Sequence, residues 1–160
     1  MVWLDVAVQD FEEVILMLYF PRTREEVQRV AEWVCERIEG NGHVPEQCYA
    51  VAAVVDDEIK AAFMYTNYMG KSVMIHAAVD DPLVLRKHHL REGLGVVFRP
   101  PFNVIRINSI VDVNNRRSYV TTKKMGFKHE GTIRNYKEIG DEAYLFGLTI
   151  QDWEKKYGQA

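Results

Sequence analysis

Residues 115–134 read NRRSYVTTKKMGFKHEGTIR, and no other stretch constrains the fold as strongly. Asn114 and Asn115 carry short amides that can accept from the first free N–H groups of a helix, so a helix is predicted over 116–125. Gly126 follows, and glycine enters the left-handed conformation that ends a helix without steric cost. Phe127 then opens a predicted strand running to Arg134. A helix that returns through one glycine directly into a strand implies a domain in which helices pack on a sheet.

A chain of 160 residues, 48% of them apolar, is long enough to bury one core and too short to build two comfortable ones, so a single domain over 1–160 is expected. Twenty basic and 23 acidic residues leave a net charge of -3. No global field would recruit nucleic acid or an anionic membrane, and any basic function must be local. Cys35 and Cys48 form neither the close pairs of a zinc site nor the density of a disulfide scaffold, which predicts two reduced thiols and no metal. The opening MVWLDVAVQD has no basic segment before a long apolar run, and nothing approaches the roughly 18 apolar residues of a membrane span. A soluble, cytoplasmic protein is expected.

Residues 2–8 can form a first strand, and 10–19 can be either a helix or a second extended segment. Thr23 and Glu26 fit a capping box, with Val27, Val30, Ala31, Val34 and Ile38 following at helical spacing until Gly40-Asn41-Gly42. Strands are predicted over 48–55, 59–67 and 72–79, and the short turns between them imply an antiparallel meander. The polar, basic stretch after Asp80-Asp81-Pro82 is predicted helical until Pro100-Pro101. Residues 104–113 alternate as a strand. Residues 143–150 place Tyr144, Phe146, Leu148 and Ile150 on one face of a last strand. The strand, helix and strand across 72–113 favour a parallel pairing of the two strands.

Asn115 and Ser118, then seven residues, Gly126-Phe127, two more, Glu130-Gly131 and Arg134 form a pattern that resembles the C-terminal half of the GNAT acetyltransferases. The resemblance is nearest to the branch containing the ribosomal-protein N-terminal acetyltransferases. It covers nearly the whole chain as an order of elements and about 104–150 as sequence pattern. It implies an α/β GNAT fold, a mixed central sheet of about six to seven strands flanked by about four helices. It also implies transfer of an acetyl group from acetyl-CoA to an amine.

In that family the pyrophosphate of CoA rests on a glycine-containing loop at a helix N-terminus, where free N–H groups and the helix dipole favour anions. Two registers fit here. One puts the loop at Arg86, Lys87, His88, His89, Leu90 and Arg91, basic but without glycine; the other uses Gly93-Leu94-Gly95 and leaves too short a helix before Pro100. The first is preferred, with Arg86, Lys87 and Arg91, and either His88 or His89, supplying charge in place of close backbone approach. A solvated basic helix start is the competing reading. A similar basic loop before Pro-Phe occurs in short acetyltransferase-like proteins encoded by bacteriophages.

The resemblance further places the backbone of Ile75, His76, Ala77 and Val79 along the pantetheine arm and thioester, at a bulge in the fourth strand. His76 is the imidazole on a predicted central strand and is a candidate general base, although a structural histidine fits equally. Glu138 is the competing base, or a surface glutamate. The tyrosine that often protonates the thiolate is replaced by Thr122. Ser118 takes its place as candidate acid, with Tyr119 as the neighbouring alternative. Asn115 would bind the cofactor arm or simply cap the helix. Two readings follow: an N-acetyltransferase acting on a protein N-terminus, lysine or small amine in a ternary complex, and a non-catalytic GNAT-like binding or assembly module. A homodimer through edge strands near 143–150 is also allowed.

Overall fold

A computed structural model describes residues 16–38 and 43–158. The predicted strand over 2–8, the stretch 10–15 and the stop at Gly40-Asn41-Gly42 lie outside the described residues. Of the segment that allowed two readings, Leu16–Tyr19 is extended and forms β1. The other elements are α1 (Arg24–Cys35), β2 (Tyr49–Val55), β3 (Glu58–Thr66), β4 (Ser72–Val79), α2 (Lys87–Gly95), β5 (Arg106–Asp112), α3 (Arg116–Lys124), β6 (Lys128–Arg134), β7 (Glu142–Thr149) and α4 (Ile150–Tyr157). The strands form a seven-stranded mixed sheet in the order β1-β2-β3-β4-β5-β7-β6.

By packing, the chain divides into two compact units. The first takes the described residues up to Asn67 together with Ile75–Gly93, and the second takes Tyr68–Met74 and the residues from Leu94 onward.

In the first unit β1 pairs antiparallel with β2, and β2 with β3 from Tyr49↔Tyr65 to Val55↔Glu58, with a bulge at Ala53/Val54. The turn between β2 and β3 puts Asp56 and Asp57 at φ 49° and 64°. Aspartate tolerates that left-handed region, which a two-residue hairpin turn requires at both positions. Helix α1 starts as its sequence predicts: the Thr23 hydroxyl accepts from Glu26 N at 3.1 Å, and the Glu26 carboxylate accepts from Thr23 N at 3.2 Å. Such a cap contributes about 1 kcal/mol. Val30, Ala31, Val34 and Cys35 are buried with Ala50, Ala52, Ala62, Met64 and Ala78. The alanines on the strands let the helix backbone lie close to the sheet, and burying each valine stabilises by about 1.5–3 kcal/mol. Leu18, Ala53, Ala61 and Val84 form a separate buried cluster in the same unit.

In the second unit Ser72, Val73 and Met74 of β4 pair in parallel with Arg106, Ile107 and Asn108 of β5. β5 pairs antiparallel with β7 along its whole length, and β7 pairs antiparallel with β6. β7 therefore has a neighbour on each side, which corrects the expectation of an edge near 143–150: the hairpin inserts its second strand beside β5 and leaves β6 outermost. A second correction concerns Ile150. It is not the end of the strand but the first residue of α4, capped by Thr149, whose hydroxyl accepts from Asp152 N at 3.1 Å. The turn from α3 to β6 follows the sequence, with Gly126 at φ 101° and Asn115 as the cap of α3.

Candidate active site

In the first unit, β3 and β4 bring Thr66 and His76 together, with Thr66 Oγ1 and His76 Nε2 at 3.0 Å. His76 is half-buried, and that burial lowers its pKa, so the neutral, proton-accepting imidazole is favoured. Thr66 is 5% exposed. Ile75 is buried, Ala77 exposed and Val79 half-buried along the same strand.

Beyond β4, the Asp81 carboxylate accepts from Leu83 N at 2.9 Å and caps a 3-10 turn over Pro82–Val84. Helix α2 then begins at Lys87, and Leu90 N donates to Arg86 O at 2.9 Å as its first backbone bond. The N–H groups of Lys87, His88 and His89 precede that bond and have no carbonyl within the helix to meet. Gly93 and Gly95 lie in the body and at the end of this helix, not at its start. A Cβ on Gly93 would stand 3.2 Å from Phe63 Cε2, so this glycine serves the approach of helix to sheet. The Tyr65 hydroxyl donates to Gly93 O at 2.7 Å in the same contact.

Arg86, Lys87 and His88 are exposed, and Arg91 is half-buried with its Nε 3.6 Å from Glu92 Oε1. His89 and Leu90 turn inward. His89 is 6% exposed and lines a cavity of about 20 Å³ with Leu18, Ala53, Ala61, Phe63 and Leu85. That space suits one water-sized molecule. The His89 Nδ1 is buried without a hydrogen-bond partner, and burial, followed by the nearby His88 and Arg86, lowers its pKa. The buried His89 side chain thus differs from a surface cation.

In the second unit, the Asn115 side chain accepts from Ser118 N at 3.0 Å. Capping occupies this oxygen. Ser118 is half-buried on the first turn of α3. Tyr119 packs edge-on against Tyr144 and Phe146, with ring centroids at 5.3 and 5.5 Å. Thr122 is 4% exposed. Glu138 is exposed in the connection between β6 and β7, where its carbonyl accepts from Asp141 N at 3.1 Å.

Sequence reasoning missed Thr66, for which an isolated threonine at a strand end gave no signal. It also missed the role of Glu130. This carboxylate accepts from Arg106 Nη1 at 3.2 Å and pairs with Arg106 Nη2, and the guanidinium holds the Glu130 pKa below the usual carboxylate range. Both cysteines are free thiols. Among the described residues no group of three or more His, Cys, Asp or Glu side chains could hold a metal ion, and no helix is long and apolar enough to cross a membrane.

No protein family model matches the sequence, and no curated protein matches it. Among solved structures, mutant forms of the spermidine/spermine N-acetyltransferase SpeG from Vibrio cholerae are similar with a TM-score of 0.65 at 12% identity, over 88% of this chain and 96% of theirs. RimJ from Mycobacterium smegmatis, in complex with CoA-disulfide, is similar with a TM-score of 0.58 at 15% identity, over 87% of this chain and 84% of its own. The fold is the GNAT fold of these acetyltransferases.

Proposed function

We propose that this chain is an N-acetyltransferase that uses acetyl-CoA and attacks its thioester directly with a bound amine. The observation that carries the reading is the start of α2. Three backbone N–H groups lie at the positive end of the helix dipole, and the exposed Arg86, Lys87 and His88 stand beside them. A diphosphate needs both donors and charge, and these residues fit it. The absence of glycine at 86–91 is compatible with that fit because the bulk of His89 and Leu90 is buried. Arg91 is assigned to the same anion, and the backbone of Ala77 and Val79 to the pantetheine arm.

Acetyl-CoA supplies an activated acyl group, and the protein holds and deprotonates the amine. His76 accepts the ammonium proton, so that the amine nitrogen can form its bond to the carbonyl carbon while the carbon–sulfur bond breaks. Ser118 returns a proton to the thiolate. Glu138 is the second candidate base, and its exposure suits a bulky acceptor. The acceptor is assigned as a primary amine: a protein N-terminus, a lysine or a small polyamine such as spermidine.

The second reading, a non-catalytic binding or assembly module, is favoured by Thr122, a buried residue where related enzymes carry a thiolate-protonating tyrosine. Thiol release from acetyl-CoA separates the two. An amine-dependent release with at least one of the three acceptor classes is expected. Acetyl-CoA binding without release in any class would favour the module.

A further inference from the structure

We infer that the exposed face of α3 is a docking surface for the phosphate backbone of a nucleic-acid duplex. The inference is independent of acetyl transfer and of the anion site at the start of α2.

The net charge of -3 is unevenly held: the second unit has 12 basic and seven acidic residues, and the rest of the chain has eight and 16. Helix α3 concentrates the basic excess, with four basic residues and no acidic one in Arg116–Lys124. At about 100° per residue, Arg116, Arg117, Val120, Lys123 and Lys124 fall within an arc of about 120°. That arc is centred on Val120 and lies opposite the buried Thr122. All five residues are exposed. Just past the helix, the exposed Lys156 of α4 stands beside Gly126, where a Cβ would lie 2.7 Å from the lysine Cδ.

Helix stability does not account for these cations. The exposed side of α1 mixes signs, with Arg24, Glu25, Arg29 and Glu32, as a solvated helix face does. On α3 the signs are not mixed. Among the described residues, the side chains of Arg116, Arg117 and Lys124 have no hydrogen bond or ion pair, and Lys123 Nζ lies 5.5 Å from the Tyr119 ring centre. Lys128, by contrast, is paired with Asp152 at 2.6 Å. Arg116 and Arg117 also occupy the first turn, where the helix dipole opposes positive charge. The face therefore holds uncompensated charge that weakens its own helix, which points to an anionic partner. Its one apolar residue, Val120, is too little to anchor a peptide or to enter a bilayer. It carries no exposed aromatic ring on which unpaired bases would stack. A duplex backbone asks for neither, because its attraction comes from counterions that the cations release. The two cation pairs stand about 10 Å apart along the helix axis, the rise of about three base pairs.

Fluorescence anisotropy of the full chain with labelled duplexes of about 20 base pairs, one of DNA and one of RNA, tests this between about 50 and 200 mM salt. Saturable binding to at least one duplex is expected, and the ratio of the two affinities says which is preferred. Log affinity should fall against log salt with a slope of about -3 to -4, as four phosphate contacts require. Lys123→Gln/Lys124→Gln should weaken binding about tenfold or more at low salt and reduce the slope by about two. Arg116→Gln/Arg117→Gln should do the same, with a thermal midpoint no lower than wild type because the unfavourable charge at the helix start is gone. Arg86→Ala/Lys87→Ala should leave duplex binding unchanged; an equal loss there would move the binding to α2 and overturn the inference. No saturable binding to either duplex at low salt, or binding that both α3 double variants leave unchanged, would also overturn it. So would tighter binding to polyglutamate or to phosphatidylserine vesicles than to either duplex. Acetyl-CoA is absent throughout, so failure here is distinct from failure of the acetyl-transfer reading.

Discussion

Arg106 on β5 reaches Glu130 on β6 over the strand between them, and the residue beneath their ion pair is Gly147 of β7. A Cβ on Gly147 would lie 2.5 Å from Arg106 Nη2 and 2.7 Å from Glu130 Oε1. Arg106 Nε also donates to Asn108 Oδ1 at 2.6 Å, which holds the guanidinium in place. Gly147→Ala should displace this pair and destabilise the protein by about 1–3 kcal/mol. Glu130→Gln should cost about 1 kcal/mol or less, because both partners are partly solvated. Denaturant melts of the two variants check the order.

Gly126 ends α3 at φ 101°, and a Cβ there would also lie 2.7 Å from Lys156 Cδ. The lysine stem can move, but the backbone strain cannot be relieved in the same way. Gly126→Ala should therefore lower stability by about 1–2 kcal/mol, and Gly126→Ala combined with Lys156→Ala should recover little of it. A single-variant loss that disappears in the double variant would assign the effect to the lysine contact instead.

Burial lowers the pKa of both His76 and His89 in the fold. The unfolded chain therefore binds protons first as pH falls below about 6.5, and stability is lost from there toward the lower folded values. His89→Leu removes one of these groups and its buried unpartnered nitrogen, so the variant should be at least as stable as wild type at pH 7 and less sensitive to acid. Thermal midpoints between pH 5 and 8 test both parts; a steeper acid loss in the variant would contradict the assignment.

As the base, His76 should give an acid limb in kcat/KM displaced to the acid side of pH 6.5, because burial lowers the pKa of the ring and only the neutral ring accepts the ammonium proton. His76→Ala should lower kcat by about 100-fold and leave acetyl-CoA affinity unchanged. Loss with Glu138→Gln and none with His76→Ala would transfer the role to the carboxylate.

Much of the fold was legible because its signals are local. Thr23 and Glu26 mark the start of α1 through two short hydrogen bonds, and Ser72–Val79 matches its prediction because turn residues bound it on both sides. Helix α4 escaped because Ile150 continues the alternation of Tyr144, Phe146 and Leu148, so the capping box of Thr149 and Asp152 lay inside an apparent strand. The place of β7 between β5 and β6 is a tertiary choice that no local pattern encodes. At the candidate site, His76 could be picked out by residue type. Its pairing with Thr66 depends on the placement of β3 against β4, and the inward turn of His89 depends on the phase of α2, which starts at Lys87 without a capping side chain to announce it.

The most direct test is calorimetric titration of the protein with acetyl-CoA at low salt, beside Arg86→Ala/Lys87→Ala. Saturable binding is predicted, with affinity about tenfold or more weaker in the double variant because charge-assisted contacts to the diphosphate are lost. No heat of binding and no rise in thermal midpoint at millimolar acetyl-CoA would contradict the account, since a ligand of the folded state must raise that midpoint by mass action.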